Sequence, residues 1–401
     1  MKKLVLHIGT EKTGTTSIQS MLSQNRQRFK AQGFHVLECA GEENHRLLPS
    51  IFIAKSDPFL KLSVNESGLG RQAFIEHVKN TLTDEITSLP EGVHTVITSS
   101  EHFQSRLKTA EEVNALHDFL VPLFDDIKVV CYVREQSAMC TSLYSTALKV
   151  GYKESIETFS QSCHSGSVYY NYTKMLDLWS GAFGHESMSV RRFDFSEFVN
   201  NSLLDDFLSQ IDPELIHVID KNVPRENESL NFMGQVLSRA LNQAIPVEAD
   251  RPADNQLRRD LKEFLYQNFK GKAAPLSHDK IVKIYEDFQR SNLELNQRYL
   301  GGEGNAFAFP KHNENQDKQQ VTADQINAFS NLIGFIYQLG QRDSLESNEV
   351  ELLRDAAIKL ESIDISMSLR LMQQARLHRP TGELINKKIG DYQKILASNN
   401  S

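Results

Sequence analysis

Cysteine is scarce in this chain of 401 residues. There are four, Cys39, Cys131, Cys140 and Cys163, with no CxxC pair and no Cys/His ligand spacing. That argues against a disulfide framework and against a cysteine zinc site. Cys131 lies in an apolar stretch and reads as a small buried hydrophobe. An excess of positive charge is also missing: 44 Lys and Arg stand against 52 Asp and Glu, a net charge of −8. A nucleic-acid partner, which needs a basic face, is not expected. The phosphates of a single nucleotide remain admissible, because a few local cations and a helix start suffice for them. Long apolar runs are lacking as well. The run at residues 4–8 follows Lys2 and Lys3 but stops at Gly9, so it reads as a strand and not as a signal peptide. Nothing later approaches the about 18 apolar residues of a membrane span, and the expected location is the cytoplasm.

What is present is an ordinary globular composition, 40% hydrophobic and 24% charged, in a chain long enough for one large α/β domain and an accessory piece. Strands are expected at residues 4–8, 34–37, 95–98, 127–133 and 188–191. The run at 127–133 is almost continuously apolar, as a strand covered on both faces should be. Helices are expected behind Gly14, over 73–89 and 113–124, after Arg134 with Ser137 as N-cap, and at 153–163 and 169–183. Further helices are expected at 203–210, 229–244, 255–270 and 278–299. Residues 41–70 read as polar and irregular, with Leu47, Leu48, Ile51 and Phe52 at helical spacing. Strand–helix alternation implies a three-layer α/β domain with a central parallel sheet. Residues 301–320 shift to Gly, Asn, Gln, Pro and His, a linker signature. Beyond them about four amphipathic helices form an all-helical extension, with the Arg379-Pro380-Thr381-Gly382 run as a stop. The expected division is therefore 1–310 and 321–401, the second part packing on its own chain or a partner.

The chain is organised around its first turn, Gly9-Thr10-Glu11-Lys12-Thr13-Gly14-Thr15-Thr16-Ser17. A strand, a turn with Gly and Lys, and a hydroxyl-rich helix start make a phosphate cradle. The first N–H groups of a helix lack partners within the helix, and the helix dipole adds partial positive charge there. Lys12 supplies a full charge; Thr13, Thr15, Thr16 and Ser17 supply hydroxyls. A nucleoside-triphosphatase loop needs the lysine after the second glycine. Here Lys12 precedes Gly14.

The Lys-x-Gly-Thr-Thr order resembles the 5′-phosphosulfate loop of sulfotransferases that use 3′-phosphoadenosine 5′-phosphosulfate (PAPS), and bacterial, carbohydrate-sulfotransferase-like members in particular. Arg134 at the end of the 127–133 strand, with Ser142 eight residues on, resembles the family's 3′-phosphate site, with Ser145 as the alternative hydroxyl. A surface Arg paired with Glu135 is the plainer account of the same residues. The resemblance further implies that Phe193 covers the adenine. It implies that Glu101 is the general base, His102 beside it being the competing candidate, and that the pair Asn44-His45 lines the acceptor side. Neighbouring residues at a strand end point opposite ways, so one of Glu101 and His102 is expected to face the acceptor. A run at residues 224–230 resembles an Asn-x-Ser-Leu element of bacterial relatives, where Ser229 reads more simply as a helix cap. The implied reaction is transfer of a sulfuryl group from PAPS to an acceptor hydroxyl, with a saccharide or glycan as the expected acceptor and no metal required. A kinase or nucleoside triphosphatase using Mg-ATP, and a non-catalytic nucleotide-binding scaffold, are the other classes these residues admit.

Overall fold

The computed structural model describes residues 2–54, 57–223, 229–245, 252–271, 273, 275–311, 331, 333–334, 336 and 347–398. Five strands, β1 (Lys3–Gly9), β2 (Phe34–Val36), β3 (Thr95–Ser99), β4 (Asp126–Val133) and β5 (Met188–Arg192), form one sheet in the order β2-β3-β1-β4-β5. Every pairing is parallel. The five expected strands are these five, each within about a residue or two. Their composition explains the match: a strand covered on both faces has no polar face to alternate with, so it appears as an apolar block. The expected α/β class with a parallel sheet is the observed one.

β1 lies at the centre because the chain builds outward in two directions. It first crosses to β2 and returns to β3, on one side of β1, then crosses to β4 and β5 on the other. The carboxyl ends of β1, β3 and β4 therefore open onto a switch point, where sheets of this kind leave a crevice. Val5, Ile97, Val130 and Tyr132 face one layer, packed against Ile18, Met21 and Leu22 of the helix Thr15–Gln24 and Phe207 and Leu208 of the helix Leu203–Ile211. The alternate residues Leu4, Leu6, Ile8, Val129 and Val133 are also buried and face the opposite layer. There the helix Tyr172–Phe183 brings Trp179 against Phe103 at 6.3 Å.

Charge is buried in the first layer too. Asp206 has no solvent exposure; it accepts from the Tyr132 hydroxyl at 2.8 Å and from Arg191 Nε at 3.1 Å. The cluster ties β4 and β5 to the helix Leu203–Ile211.

By contacts the chain divides into two compact units, and the division differs from the split read from composition. Residues Met1–Ala147, Glu154–Phe232 and Lys270–Gln320 make the first unit; Leu148–Lys153, Met233–Phe269 and Val321–Ser401 make the second. Within the second, Leu241, Ile245 and Leu265 form one core. Three helices, Ser347–Leu360, Ile365–His378 and Glu383–Ser398, form another around Leu353, Met372 and Tyr392. The stop at Arg379 falls as expected, with the helix before it ending at His378. Of a fourth helix in this region only residues 331, 333, 334 and 336 are described, all helical; residues 224–228 of the Asn-x-Ser-Leu element lie outside the described residues. Among the described residues no helix is long and apolar enough to cross a membrane.

Two local readings need correcting. Residues 41–70 are not irregular throughout: Pro58–Ser67 is a helix. Asp57 caps it, accepting from the N–H of Phe59 and Leu60, and Pro58 opens it. The helix after Arg134 is capped by Glu135, not Ser137; its carboxylate accepts from the N–H groups of Ser137 and Ala138 at 2.9 and 2.8 Å. The Glu135 oxygens are engaged by that helix start, while its charge still acts on Arg134.

Fully buried His7 links β1 to β3, its Nδ1 2.8 Å from the Ser99 hydroxyl, among the rings of Tyr132 and Phe207. Burial pushes its pKa down to about 3. The unfolded chain then holds a proton on this residue, from about pH 6.5 down to 3, that the folded chain does not. Stability from this residue is complete above pH 6.5 and declines as pH falls, by up to about 1.4 kcal/mol per pH unit. In urea unfolding followed by the fluorescence of Trp179, the sole tryptophan, His7→Asn should lose that part of the slope between pH 6.5 and 4.5. An unchanged slope would refute the assignment.

Candidate active site at the carboxyl end of the sheet

The loop between β1 and the helix Thr15–Gln24 is shaped by three left-handed residues, Gly9 (φ 95°), Lys12 (φ 66°) and Gly14 (φ 75°). Lys12 is the exception in this set, since a side chain disfavours that conformation. The surroundings hold it there. Thr10 donates through both its N–H (3.2 Å) and its hydroxyl (3.0 Å) to the carbonyl of Tyr132 on β4. The Thr13 hydroxyl donates to the Thr10 carbonyl at 2.7 Å, and Arg134 Nη1 donates to the Lys12 carbonyl at 3.0 Å.

Both glycines are required by close approach. A Cβ on Gly9 would lie 2.9 Å from the Glu101 Cα. One on Gly14 would lie 2.2 Å from Leu203 Cδ2 and 3.6 Å from the Phe193 ring. The first turn is thus packed between the end of β3 and the segment following β5.

Most of the residues singled out from sequence meet here. Arg134 stands 5.6 Å from the centre of the Phe193 ring, which packs edge-on against Phe195 and Phe198. The Tyr172 hydroxyl donates to the Arg134 carbonyl at 2.6 Å. Thr16 and Ser17 are partly exposed at the helix start, whereas Thr13 and Thr15 are buried. The Thr13 hydroxyl hydrogen points into the loop, so this residue shapes the cradle. Ser142 is partly exposed in the helix Gln136–Lys149 and Ser145 is buried, so of the two hydroxyls Ser142 is the accessible one.

At the other side of the loop, Glu101 is held by two amides. Gln19 Nε2 donates to one carboxylate oxygen at 2.8 Å and Asn44 Nδ2 to the other at 3.0 Å. Asn44 in turn accepts from the Ser100 hydroxyl at 2.6 Å. His102 Nε2 lies 3.9 Å from Glu101 Oε1. The two side chains do not point opposite ways, because β3 has ended at Ser99. Glu101 already has helical dihedrals (φ −68°, ψ −11°), and neighbours on a helix diverge by about 100°. His102 is pushed down to about 4, chiefly by burial; Glu101 opposes that shift, and Arg46 and Arg106 add to it. Its Nδ1 is buried and unpartnered.

His45 departs from expectation. It has no solvent exposure, and its Nδ1 accepts from the Ser99 N–H at 3.0 Å, with the Thr98 hydroxyl 2.9 Å away. Burial pushes it down to about 3. This imidazole fastens the 37–47 segment to β3 and does not line an acceptor surface; of the pair, Asn44 is the one that reaches the crevice.

Sequence reasoning passed over Glu11 and Tyr169. Glu11 sits in the loop beside Lys12 and accepts a short hydrogen bond from the Tyr169 hydroxyl. Burial pushes its carboxyl up; Tyr169 pulls it down, Glu101 pushes it further up, and Lys12 and Arg106 draw it down. The signal was available: an acid inside a loop suited to anions needs a partner. Tyr169 has no such signal in sequence, since only folding brings it back to the loop. Among the described residues, no group of three or more His, Cys, Asp or Glu side chains is placed to hold a metal ion.

No protein-family model matches the chain. An uncharacterised protein of Archaeoglobus fulgidus is 25% identical over 178 residues, which are 43% of this chain and 46% of the relative. The chain thus spans about half the length of the relative it matches. Among solved structures, a sulfotransferase from Alicyclobacillus acidocaldarius is similar over 56% of this chain and 87% of its own, at 13% identity and a TM-score of 0.33.

The packing of Gly9 on Glu101 gives a direct test. Gly9→Ala places a Cβ in a left-handed position and against backbone at 2.9 Å, and should lower stability by roughly 1–3 kcal/mol. Denaturant unfolding monitored at Trp179 measures this. A loss below about 0.5 kcal/mol would mean the loop has room to move.

Proposed function

We propose that this crevice transfers a sulfuryl group from PAPS to a hydroxyl of an acceptor, a saccharide or glycan in the reading the motifs favour. The hydrogen bond from Arg134 to the Lys12 carbonyl carries the reading. It joins the cation of one motif to the loop of the other, and the Phe193 ring lies against both. In this assignment the 5′-phosphosulfate lies on the N–H groups and hydroxyls at Thr15, Thr16 and Ser17 beside Lys12. Arg134 and Ser142 take the 3′-phosphate, and Phe193 covers the adenine.

The acceptor oxygen attacks sulfur as its bond to the bridging oxygen of the 5′-phosphate breaks. The electron pair of that bond leaves with 3′,5′-ADP. The acceptor proton passes to Glu101, which two amides hold in one orientation at the edge of the loop. His102, pushed toward its neutral form by burial, is the competing acceptor. Lys12 and the helix start stabilise charge growing on the leaving phosphate, where one charged donor contributes about 10²–10³ in rate. Positioning and electrostatics carry the chemistry, which suits a site built from backbone N–H groups and fixed cations.

Thermal unfolding with 3′,5′-ADP, compared with ATP plus Mg²⁺, tests the donor site. At about 100 times its Kd, 3′,5′-ADP should add about 2.7 kcal/mol without metal, and Arg134→Ala should abolish the shift. A shift with Mg-ATP alone would make the loop a triphosphate site and overturn the proposal. In transfer assays with radiolabelled PAPS, Glu101→Gln should reduce kcat by about 10²–10⁴. Full activity in that variant, with His102→Gln inactive, would move the base to His102.

A further inference from the structure

We propose that the acceptor side of this crevice contains an oxyanion-binding subsite formed by Arg46 and Arg106, so that the acceptor carries a carboxylate or phosphate ester beside the hydroxyl it presents to Glu101. The inference rests on the sulfuryl-transfer reading and extends it to the acceptor.

Arg46 follows directly on Asn44 and His45, whose bonds to Glu101 and to β3 fix where it stands. Its guanidinium lies 4.2 Å from the centre of the Phe59 ring. Phe59 is itself positioned by the Asp57 cap on the helix Pro58–Ser67. The Arg46 side chain is only partly exposed, yet it donates no hydrogen bond to any described residue. An arginine held by an aromatic face with its donors unused is oriented for a planar oxyanion. Part-burying such a group with no hydrogen-bond acceptor among the described residues is unfavourable; the charges of Asp57 and Glu101 act on it, and a ligand anion would add the hydrogen bonds.

Arg106 comes from the other direction, at the end of the short helix His102–Arg106. It pairs at 3.8 Å with Asp57 Oδ2, the carboxylate oxygen not used for the cap on Phe59 and Leu60. Both arginines act on His102, whose Nε2 is 3.9 Å from Glu101. Arg106 also acts on Glu11, across the loop. Two guanidinium groups therefore stand on the segments that flank the base candidates. Arg46 comes two residues after Asn44, which bonds Glu101, and Arg106 stands at the end of the helix that His102 opens, with Asp57 and Phe59 between them. Lys108 adds a third cation, 5.7 Å from the centre of the Tyr169 ring that bonds Glu11. Donor phosphates have their own cations in Lys12 and Arg134, which leaves these to the acceptor.

The test uses protein saturated with 3′,5′-ADP, so that anions cannot enter the donor site. Binding of methyl β-D-glucuronide, glucose 6-phosphate and methyl β-D-glucoside is then measured by ligand-observed NMR. At least one of the two acids should bind about tenfold more tightly than the neutral glucoside, as charged hydrogen bonds imply. Which acid does so distinguishes carboxylate from phosphate. Arg46→Gln/Arg106→Gln should remove that preference while leaving the 3′,5′-ADP thermal shift intact, which also shows that the variant is folded. Equal binding of all three sugars, no binding of either acid, or a preference that survives in the double variant overturns the subsite. Absence of a 3′,5′-ADP shift in the wild-type protein instead overturns the donor reading on which it rests.

Discussion

Everything in the crevice depends on the first turn being tied to the end of β4. The Tyr132 carbonyl accepts twice from Thr10, and Arg134, two residues on, donates to the Lys12 carbonyl. These bonds hold a lysine in a backbone conformation that only glycine adopts freely. They also leave the N–H groups of the next helix pointing outward. Without them a glycine-flanked turn has many conformations, and ordering it around a ligand would cost entropy that here is met by folding.

The same tie sets the electrostatics. Glu11 and Glu101 both lie against Gly9, and the Glu101 charge acts on Glu11. The structure manages that repulsion locally. Glu101 is given two amide donors, and Glu11 a tyrosine hydroxyl with Lys12 beside it. Burial holds the Glu11 carboxyl above its ordinary value against the pull of Tyr169 and Lys12.

How much of this was legible in sequence follows from the range of the interactions. The strands were plain because apolar blocks are local, and the loop was plain because its glycines, lysine and hydroxyls are consecutive. Arg134 and Ser142 could be placed because one strand end and one helix fix their spacing. His45 misled because sequence shows a histidine in a polar stretch but not the Thr98 hydroxyl and Ser99 N–H that enclose it. His102 was expected to oppose Glu101 because extended geometry was assumed out to residues 101 and 102, whereas β3 ends at Ser99 and Glu101 is already helical. Tyr169 was invisible as a partner of the loop, because it reaches Glu11 only through segments whose course no local pattern dictates. The Asp57-Pro58 start was a readable cap signal, hidden by the polar stretch around it.

The separation along the chain between the turn and what shapes it has a consequence for biosynthesis. Thr10 waits for a carbonyl 122 residues downstream, and Lys12 for a guanidinium equally distant. Leu203, against which Gly14 packs, is made later still. On the ribosome, this turn emerges before everything that shapes it and acquires its own shape last. Contacts of such long range form late and slowly. A nascent chain released before the helix Leu203–Ile211 would therefore carry every residue of the Gly9–Ser17 motif without the contacts that give the turn its shape.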